Sequence, residues 1–483
     1  MWQRIRDELR RLRLTLAEPA TPELADENAW FTEHTALFVS TTKWALLGAG
    51  AGACVGLGTR AFLWSIAHAG SWLTSINHTG LPGYWALPLA LPICVWMIRT
   101  FSPEARGHGT EAVIAAIHQR SGRIDWMVAP VKLTATVTTL TFGGSVGKEG
   151  PAAQIGAALT SLTADLFRLS DPDRRRLVIC GISAGFAAVF GTPVSGALFG
   201  IEVLYLGRID YSVIFPALVA GIVSHLVCGV RPPIPVMSAF VEDQQQIRMI
   251  VTAIASGALF GLVALLLIET LRGMERGIRR FAGRPYFVAF IGGALLVAIY
   301  ALAGDQFAGL GTDTIDGVLK GTVTVTTSVF LIKILTTAIT LETGGSGGIL
   351  TPVFFIGATS GAALAPLFRL PPQLLGAFGL IAMLAAAANT PLAAAVMAIE
   401  IFPAPLGVFA ALAAVTAYLI VGHRSVYASQ KLGFSKSGAL DVELGGEIGE
   451  LTRAGLRVRP GSLTGRLHQF TRPRRPEDEG PEG

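Results

Sequence analysis

The stretch Lys132–Pro151 reads KLTATVTTLTFGGSVGKEGP, and the stretch Lys333–Pro352, KILTTAITLETGGSGGILTP, aligns with it without a gap. A second pair follows in the same order, because Thr192–Glu202 (TPVSGALFGIE) matches Thr390–Glu400 (TPLAAAVMAIE) over its whole length. Two motifs repeated in one order at nearly one offset indicate an internal repeat. The chain is therefore expected to consist of two related halves.

The composition indicates a membrane environment. Hydrophobic residues make up 51% of the 483 residues and charged residues only 15%, which is too little charge for the surface of a soluble protein of this size. Some apolar stretches approach the roughly 20 residues of a spanning helix, whereas others are shorter or broken by Gly and Pro. We expect an all-α polytopic membrane protein with tilted, kinked and half-spanning helices.

The repeat and the charge pattern predict the organisation of the chain. The expected segments are an amphipathic N-terminal segment (1–34), a first membrane repeat (35–230), a linker (231–247), a second membrane repeat (248–430) and a largely disordered tail (431–483). The N-terminal segment is basic and lacks the continuous apolar core of a secretory signal, so we expect both termini on the cytoplasmic side. Arginines beside anionic lipid account for the net charge of +5 without nucleic acid.

The repeated Gly/Pro breaks predict an anion site. A helix that begins in mid-membrane directs its free N–H groups and its positive dipole end inward, where they suit a dehydrated anion. Breaks at matching positions of two repeats point to a transport site at the repeat interface. Gly147–Pro151 and Gly348–Pro352 are therefore interpreted as two facing helix starts. The alternative, a packing kink, is favoured for one isolated break but not for a repeated pair.

Glu149 is the leading candidate for a functional side chain. A carboxylate in an apolar, glycine-rich break is costly to ionise in lipid, which makes it a functional-site hypothesis. When deprotonated it can occupy the place of the anion, and when protonated it can swing away, which would couple gating to protons. The alternative is a glutamate that caps its own helix.

Three motifs together resemble those of the CLC family of chloride channels and anion/proton antiporters. Gly147–Pro151 resembles its GREGP motif with lysine for arginine, and Gly348–Pro352 resembles GxFxP with leucine for phenylalanine. Gly107–Glu111 (GHGTE) resembles GSGIP, and the match extends over about residues 35–430 in the family's order. The resemblance implies the CLC fold, with two inverted-topology halves in each subunit, and a homodimer in which each subunit keeps its own pore. It also implies a bacterial inner membrane location.

The resemblance also implies roles for individual residues. Glu149 is the expected external gate, the N–H groups of Ile349 and Leu350 are expected to hold a central anion, and Tyr427 is expected to donate its hydroxyl to it. Without the resemblance, a lone tyrosine at a helix end would be read as an interfacial anchor. Backbone anion contacts are expected at Gly147, Lys148, Gly150, Gly109 and Gly348.

The chain departs from the family pattern at several positions. His108 replaces the serine that usually contacts the anion, as in some bacterial branches, and Glu111 replaces a proline, where it suits the helix dipole but could compete with the anion. Val203 lies where proton-coupled members usually carry an internal glutamate, and valine cannot relay a proton. Adjacent Glu202 is a candidate substitute, although its repeat mate Glu400 favours a structural role.

Three classes of function were compared. An intramembrane enzyme is disfavoured because HExxH and phosphate-loop motifs are absent from the sequence, and the four scattered cysteines have no metal-ligand spacing. A structural or sensory protein would need no paired helix breaks. The expected function is transport of chloride, channel-like or weakly coupled to protons, with no cofactor. Full chloride/proton antiport and selectivity for fluoride or nitrate are the alternatives.

Overall fold

The structure is a computed structural model that describes residues 29–76, 80, 82–230, 246–454, 457–459 and 461–464. Most of the predicted N-terminal segment, the linker up to residue 245 and the end of the tail lie outside the described residues. Two compact units are present, Met1–Leu46 and Leu47–Gly483. The second unit contains every predicted site residue.

In the part of the chain that the structure describes, the membrane region consists of two successive series of eight α-helices. The first series is α1 (Ala29–Ile76), α2 (Leu87–Phe101), α3 (Thr110–Arg120), α4 (Val128–Thr141), α5 (Glu149–Leu166), α6 (Asp171–Phe190), α7 (Pro193–Glu202) and α8 (Ile214–Cys228). The second series is α9 (Gln246–Arg279), α10 (Pro285–Ala303), α11 (Thr312–Lys320), α12 (Thr327–Glu342), α13 (Leu350–Phe368), α14 (Pro372–Ala388), α15 (Pro391–Ile401) and α16 (Ala404–Ile420). Each repeated motif falls on equivalent helices of the two series.

The segment that follows α16 returns to the first half. Strand β1 (Tyr205–Leu206) pairs in parallel with β2 (Lys431–Leu432). Beyond it, β3 (Leu440–Asp441) pairs antiparallel with β4 (Arg457–Val458), and α17 (Ile448–Ala454) lies between these two strands in the chain. The parallel pairing anchors the stretch after α16, which carries Tyr427, beside the end of α7.

The helix lengths confirm a helical, multi-pass membrane protein. Within the described residues, six helices are long and apolar enough to span a bilayer. They are Trp30–Leu73, Gly83–Phe101, Tyr211–Cys228, Gln246–Arg279, Pro285–Ala303 and Leu350–Phe368. Other apolar helices, such as α14 and α15, are shorter. The mixture agrees with the predicted combination of full-length and half-spanning helices.

Glycines allow the same close helix crossing in both halves. A Cβ atom on Gly156 of α5 would lie 2.4 Å from the carbonyl oxygen of Gly181 on α6. In the second half, a Cβ atom on Gly357 of α13 would lie 2.3 Å from the carbonyl oxygen of Gly379 on α14. Small residues of this kind let membrane helices approach closely where no hydrophobic effect drives them together. The helices that begin at the two predicted anion sites are thus fixed in equivalent ways.

Hydrogen bonds between the halves are reciprocal. The N–H of Ser145 donates to the hydroxyl oxygen of Thr340 (3.1 Å), and the N–H of Ser346 donates to that of Thr139 (3.0 Å). Reciprocal contacts between equivalent positions are what a two-fold relation generates. The two halves therefore face each other along the loops that precede α5 and α13.

Candidate functional site

The two predicted helix starts are in direct contact. The N–H of Gly147 donates to the carbonyl oxygen of Gly348 (2.6 Å), and the N–H of Gly348 donates to that of Gly147 (2.7 Å). Helices α5 and α13 begin two residues later in each half. Two positive helix ends are consequently brought to one place inside the protein.

The start of a third helix, α3, packs against the hydrogen-bonded pair Gly147 and Gly348. Gly109, the residue before α3, has φ +82°, and a Cβ atom there would lie 2.4 Å from the carbonyl oxygen of Gly150. A Cβ atom on Gly150 would in turn lie 2.1 Å from the carbonyl oxygen of His108 and 3.1 Å from Cα of Gly348. Only glycines permit three backbones to approach this closely. The motif at Gly107–Glu111 therefore lies against the two repeated motifs.

The carboxylate of Glu149 lies at the start of the opposite helix, α13. The side chain is 1% exposed. Its Oε2 accepts the N–H of Thr351 (3.0 Å), and both of its oxygens accept the Thr351 hydroxyl (2.7 and 2.5 Å). The Thr351 oxygen also accepts the N–H of Lys148 (3.4 Å). Glu149 thus binds the helix of the other half rather than capping its own, and its carboxylate stands where a bound anion would be held.

Apolar groups surround this contact. Ile349 and Leu350 are completely buried, and Leu350 is the repeat counterpart of Glu149. Their side chains exclude water from the helix start, which strengthens the attraction between the positive helix end and an anion. Thr351 was missed in the sequence analysis, although it occupies the position equivalent to Gly150 and is the one hydroxyl within Gly348–Pro352.

Several buried polar atoms cluster near the start of α3. Tyr427 Oη, Thr110 Oγ1, His108 Nδ1 and Glu111 Oε2 are all shielded from solvent, and none has a hydrogen-bond partner among the described residues. A buried polar atom without a partner costs about 1–3 kcal/mol, so such clusters usually mark a ligand site or ordered water. Hydroxyl, imidazole N–H and helix N–H donors suit an anion. His108 Nε2 also lies 3.9 Å from Glu342 Oε1.

Glu111 connects this cluster to the segment that carries Tyr427. Its Oε1 accepts the N–H (3.0 Å) and the hydroxyl (2.6 Å) of Ser429. The segment after α16 is thereby fastened to the first turn of α3. Competition of Glu111 with the anion stays one of two sequence-based interpretations, and one of its two oxygens is occupied by Ser429.

Glu202 and Glu400 form a reciprocal pair across the repeat. Glu202 accepts the N–H groups of Leu392 (3.0 Å) and Ala393 (2.8 Å) at the start of α15. Its counterpart accepts the N–H groups at the start of α7, those of Val194 (3.0 Å) and Ser195 (2.8 Å). Each acid satisfies orphan donors at the helix start of the other half.

A cavity and several polar side chains lie on one side of Glu202. A cavity of about 380 Å³ lies beside it, lined also by Asn389 and Tyr418. Beyond the last membrane helix, Lys436 donates to Asn389 Oδ1 (2.8 Å) and to the carbonyl oxygen of Tyr418 (2.6 Å), and burial lowers the pKa of this lysine to about 6. Val203 is completely buried, and its carbonyl oxygen accepts Gln430 Nε2 (2.8 Å).

Two buried lysines support equivalent loops. Lys132 donates to the carbonyl oxygens of Ala105 and Gly107, and Lys333 donates to those of Phe307 and Gly309. The loops lie at a third repeated motif, which sequence analysis missed: Gly107–Glu111 reads GHGTE and Gly309–Asp313 reads GLGTD. The spacing of 202 residues, close to that of the other motifs, was the signal. Both lysines are wholly buried and brace backbone, so they do not snorkel to a surface.

Comparison with known proteins gives a consistent picture. The family model described as "Voltage gated chloride channel" matches residues 86–422. A relative from Pseudomonas syringae pv. tomato named "Chloride/fluoride channel protein" is 36% identical over 84% of this chain and 90% of its own length. The "H(+)/Cl(-) exchange transporter ClcA" of Citrobacter koseri is 28% identical over 63% of this chain and 68% of its own length.

Solved structures share the fold. A CLC-type fluoride/proton antiporter is similar with a TM-score of 0.75 and 26% identity, over 81% of this chain and 98% of the other. A slow cyanobacterial Cl⁻/H⁺ antiporter is similar with a TM-score of 0.64 and 22% identity, over 77% and 94%. The second likeness concerns the fold alone.

Proposed function

The chain belongs to the voltage-gated chloride channel (CLC) family of anion transporters, and from this premise we propose that it exchanges a small halide for protons, with Glu149 as the moving carboxylate. The observation that carries the proposal is the contact between Glu149 and the start of α13, where Thr351 gives its N–H and its hydroxyl to the carboxylate. The same donors suit a halide.

The chemistry of exchange follows because the Glu149 carboxylate and a halide compete for the same donors of Thr351. A deprotonated Glu149 fills the helix start and excludes the halide. Protonation removes the negative charge, so the attraction to the positive helix end is largely lost and the side chain can leave. A halide then takes the vacated donors while the proton leaves with the side chain, which links movement of one ion to movement of the other.

Fluoride is the halide that we propose as the preferred substrate, with chloride second. The donors in reach of the pathway include the hydroxyls of Tyr427, Thr110 and Thr351. A smaller ion approaches such donors more closely and gains more Coulomb energy from them. The names of the two relatives that mention fluoride support this choice. We also propose that His108 occupies the position of the usual central serine and donates one hydrogen bond from a neutral imidazole.

A chloride channel without proton coupling is the second candidate. Val203 favours it, since a buried valine provides no proton acceptor at that position. The Pseudomonas relative is named a channel protein. The proposal of exchange differs from this candidate in one measurable property, which is proton movement driven by a halide gradient.

A homodimer in a bacterial inner membrane, with both termini in the cytoplasm, is the proposed assembly and location. Exposed apolar side chains on α7 and α15, Val194, Leu392 and Ile399, support a protein–protein or lipid contact beside the paired glutamates. Five arginines between 272 and 284 support a cytoplasmic location for the central loop.

Proteoliposomes test the proposed exchange. Purified protein is reconstituted, a fluoride or chloride gradient is imposed, and halide efflux is measured with an ion electrode while proton entry is followed with a pH dye. We expect uphill proton movement in the wild type, with faster flux of fluoride than of chloride. A reversal potential that follows the halide gradient alone would identify the channel instead.

A further inference from the structure

The proposed exchange requires a route for protons between Glu149 and the cytoplasm, and position 203 offers none. Val203 is completely buried and apolar. Glu202 has both of its oxygens bound by the N–H groups of Leu392 and Ala393. These contacts occupy both oxygens at a helix start, in the same way as at Glu400. Neither residue therefore offers an oxygen without a hydrogen-bond partner to a proton at this end of the pathway.

Glu111 has the geometry that these two residues lack. Its Oε1 is held by two hydrogen bonds from Ser429, so the side chain has a fixed position. Its Oε2 is shielded from solvent and has no hydrogen-bond partner among the described residues. One oxygen thus positions the carboxyl group, and the other remains free to bind a proton.

We infer that Glu111 is the internal proton acceptor of this transporter, and that it exchanges protons between the cytoplasmic side and Glu149. The inference rests on the proposed proton-coupled exchange. Glu111 is the second residue of α3 and lies in its first turn, directly after Gly109, where the starts of three helices converge. It is therefore next to the anion site and not on a remote surface.

Tyr427 is near both acids, because its phenol interacts electrostatically with Glu111 and with Glu149. Its hydroxyl oxygen and that of Thr110, the residue that precedes Glu111, are shielded from solvent. In this inference, these two hydroxyls carry the proton between Glu111 and Glu149.

The other end of the path reaches the segment after α16. Glu447 is the charged group in that segment that acts on Glu111, and its Oε1 accepts Gln119 Nε2 (3.2 Å) at a partly exposed position. Glu447 also forms a backbone bridge with Lys431. A negative group near solvent raises the local proton concentration at the entrance to the buried carboxyl.

The proton transfer is balanced without a further reactant. A proton from the cytoplasmic side binds Oε2 of the Glu111 carboxylate and gives a neutral acid. The O–H bond then breaks as the proton passes through the hydroxyl path to the Glu149 carboxylate, and Glu111 returns to its ionised form. In the opposite direction of exchange, the same steps run in reverse.

The test compares Glu111→Gln with Ser429→Ala in proteoliposomes, with halide and proton movement measured together. The glutamine oxygen still accepts from Ser429, but the amide neither takes up nor releases a proton in the accessible pH range. We expect Glu111→Gln to lower the ratio of proton to halide movement by about tenfold or more, whatever the total halide flux that remains. Ser429→Ala loses one hydrogen bond but keeps the acid, so its ratio should remain close to that of the wild type.

The outcomes separate the inference from the proposed function. An unchanged ratio in Glu111→Gln would overturn the inference and leave proton-coupled exchange intact. Equal loss of halide flux in Glu111→Gln and in Ser429→Ala would show that Glu111 has only a structural role. A wild type that moves no protons would overturn both proposals. If Glu111→Gln does not fold, Glu111→Asp provides the second test, because it keeps an acid and should remain coupled; its loss of coupling with intact halide flux would contradict the inference.

Discussion

The loops that precede α5 and α13 share their backbone geometry but not their chemistry. Gly147 and Gly348 make identical hydrogen bonds to each other, and Lys132 and Lys333 brace equivalent loops. At the next positions the halves diverge. Glu149 faces the helix start opposite it, whereas its counterpart Leu350 is a buried apolar residue.

The divergence assigns different tasks to the two halves. The first half supplies Glu149, and the second half supplies the hydroxyl and N–H groups of Thr351 that receive its carboxylate. His108 has an apolar counterpart as well, Leu310. The backbones of the two repeat-related halves can therefore form the cavity together, while side-chain differences between the halves determine which ions use it.

The largest expected effect comes from a side chain at the convergence of the helix starts. In Gly150→Ala the new Cβ atom would lie 2.1 Å from the His108 carbonyl oxygen, a backbone atom that cannot move independently. We expect destabilisation by about 3 kcal/mol and loss of halide flux, at the upper end of overpacking effects. Gly273→Ala is the control, because nothing lies within 4 Å of its Cβ position. Melting temperature and flux equal to the wild type in Gly150→Ala would contradict the shared geometry.

The next effect tests the difference between Glu149 and Leu350. Glu149→Gln removes the charge that holds the side chain at the start of α13, and the amide cannot transfer a proton. We expect proton movement to fall by about a hundredfold, whereas halide flux persists. The matched variant Leu350→Met keeps the volume and the apolar character, and should change both fluxes less than about twofold. Proton coupling that survives in Glu149→Gln would break the proposed division of tasks.

A smaller effect is expected from the hydroxyl of Thr351. Thr351→Val keeps the shape but removes the hydroxyl that binds Glu149, and a hydrogen bond to a charged group contributes about 1.5–3 kcal/mol. The carboxylate is then displaced more easily without protonation, so the ratio of halide flux at acid pH to that at neutral pH should fall by about tenfold. Thr351→Ser keeps the hydroxyl and should keep the ratio. Equal pH profiles for the valine and serine variants would remove this hydroxyl from the gate.

The smallest effect is expected at Glu202 and Glu400, where the two halves remain alike. In Glu202→Gln and in Glu400→Gln, the amide presents one acceptor oxygen and one NH₂ group to two backbone N–H donors. We therefore expect each single variant to lose about 1–2 kcal/mol of stability. Halide flux per folded molecule should not change. Thermal unfolding in detergent provides the measurement. Loss of proton coupling in Glu202→Gln alone, with Glu400→Gln unaffected, would show that this pair too has diverged in function.

The sequence predicted the features that depend on local pattern and repetition. The helical membrane fold follows from apolar segments and Gly/Pro breaks, and the facing of Gly147–Pro151 and Gly348–Pro352 follows from their repeat. Contacts between distant side chains were not predictable in this way. Glu149 and Thr351 are 202 residues apart, and Glu111 and Ser429 are 318 apart, so only the folded chain reveals that each carboxylate binds that particular hydroxyl.

One missed feature had a signal in the sequence. The motif Gly309–Asp313 repeats Gly107–Glu111, with two glycines, a threonine and an acid at equivalent positions. His108 and Leu310 are the pair that differs in chemistry. The difference falls at a side chain next to the proposed anion site.

The central claim is that the Glu149 carboxylate and the transported anion occupy the same helix start. The most direct measurement is a crystal structure of Glu149→Gln grown in bromide, with the halide located by anomalous scattering. We expect a bromide ion within hydrogen-bonding distance of the Thr351 N–H, with the glutamine side chain turned away. A glutamine that remains on Thr351, with bromide absent from the starts of both α5 and α13, would contradict it.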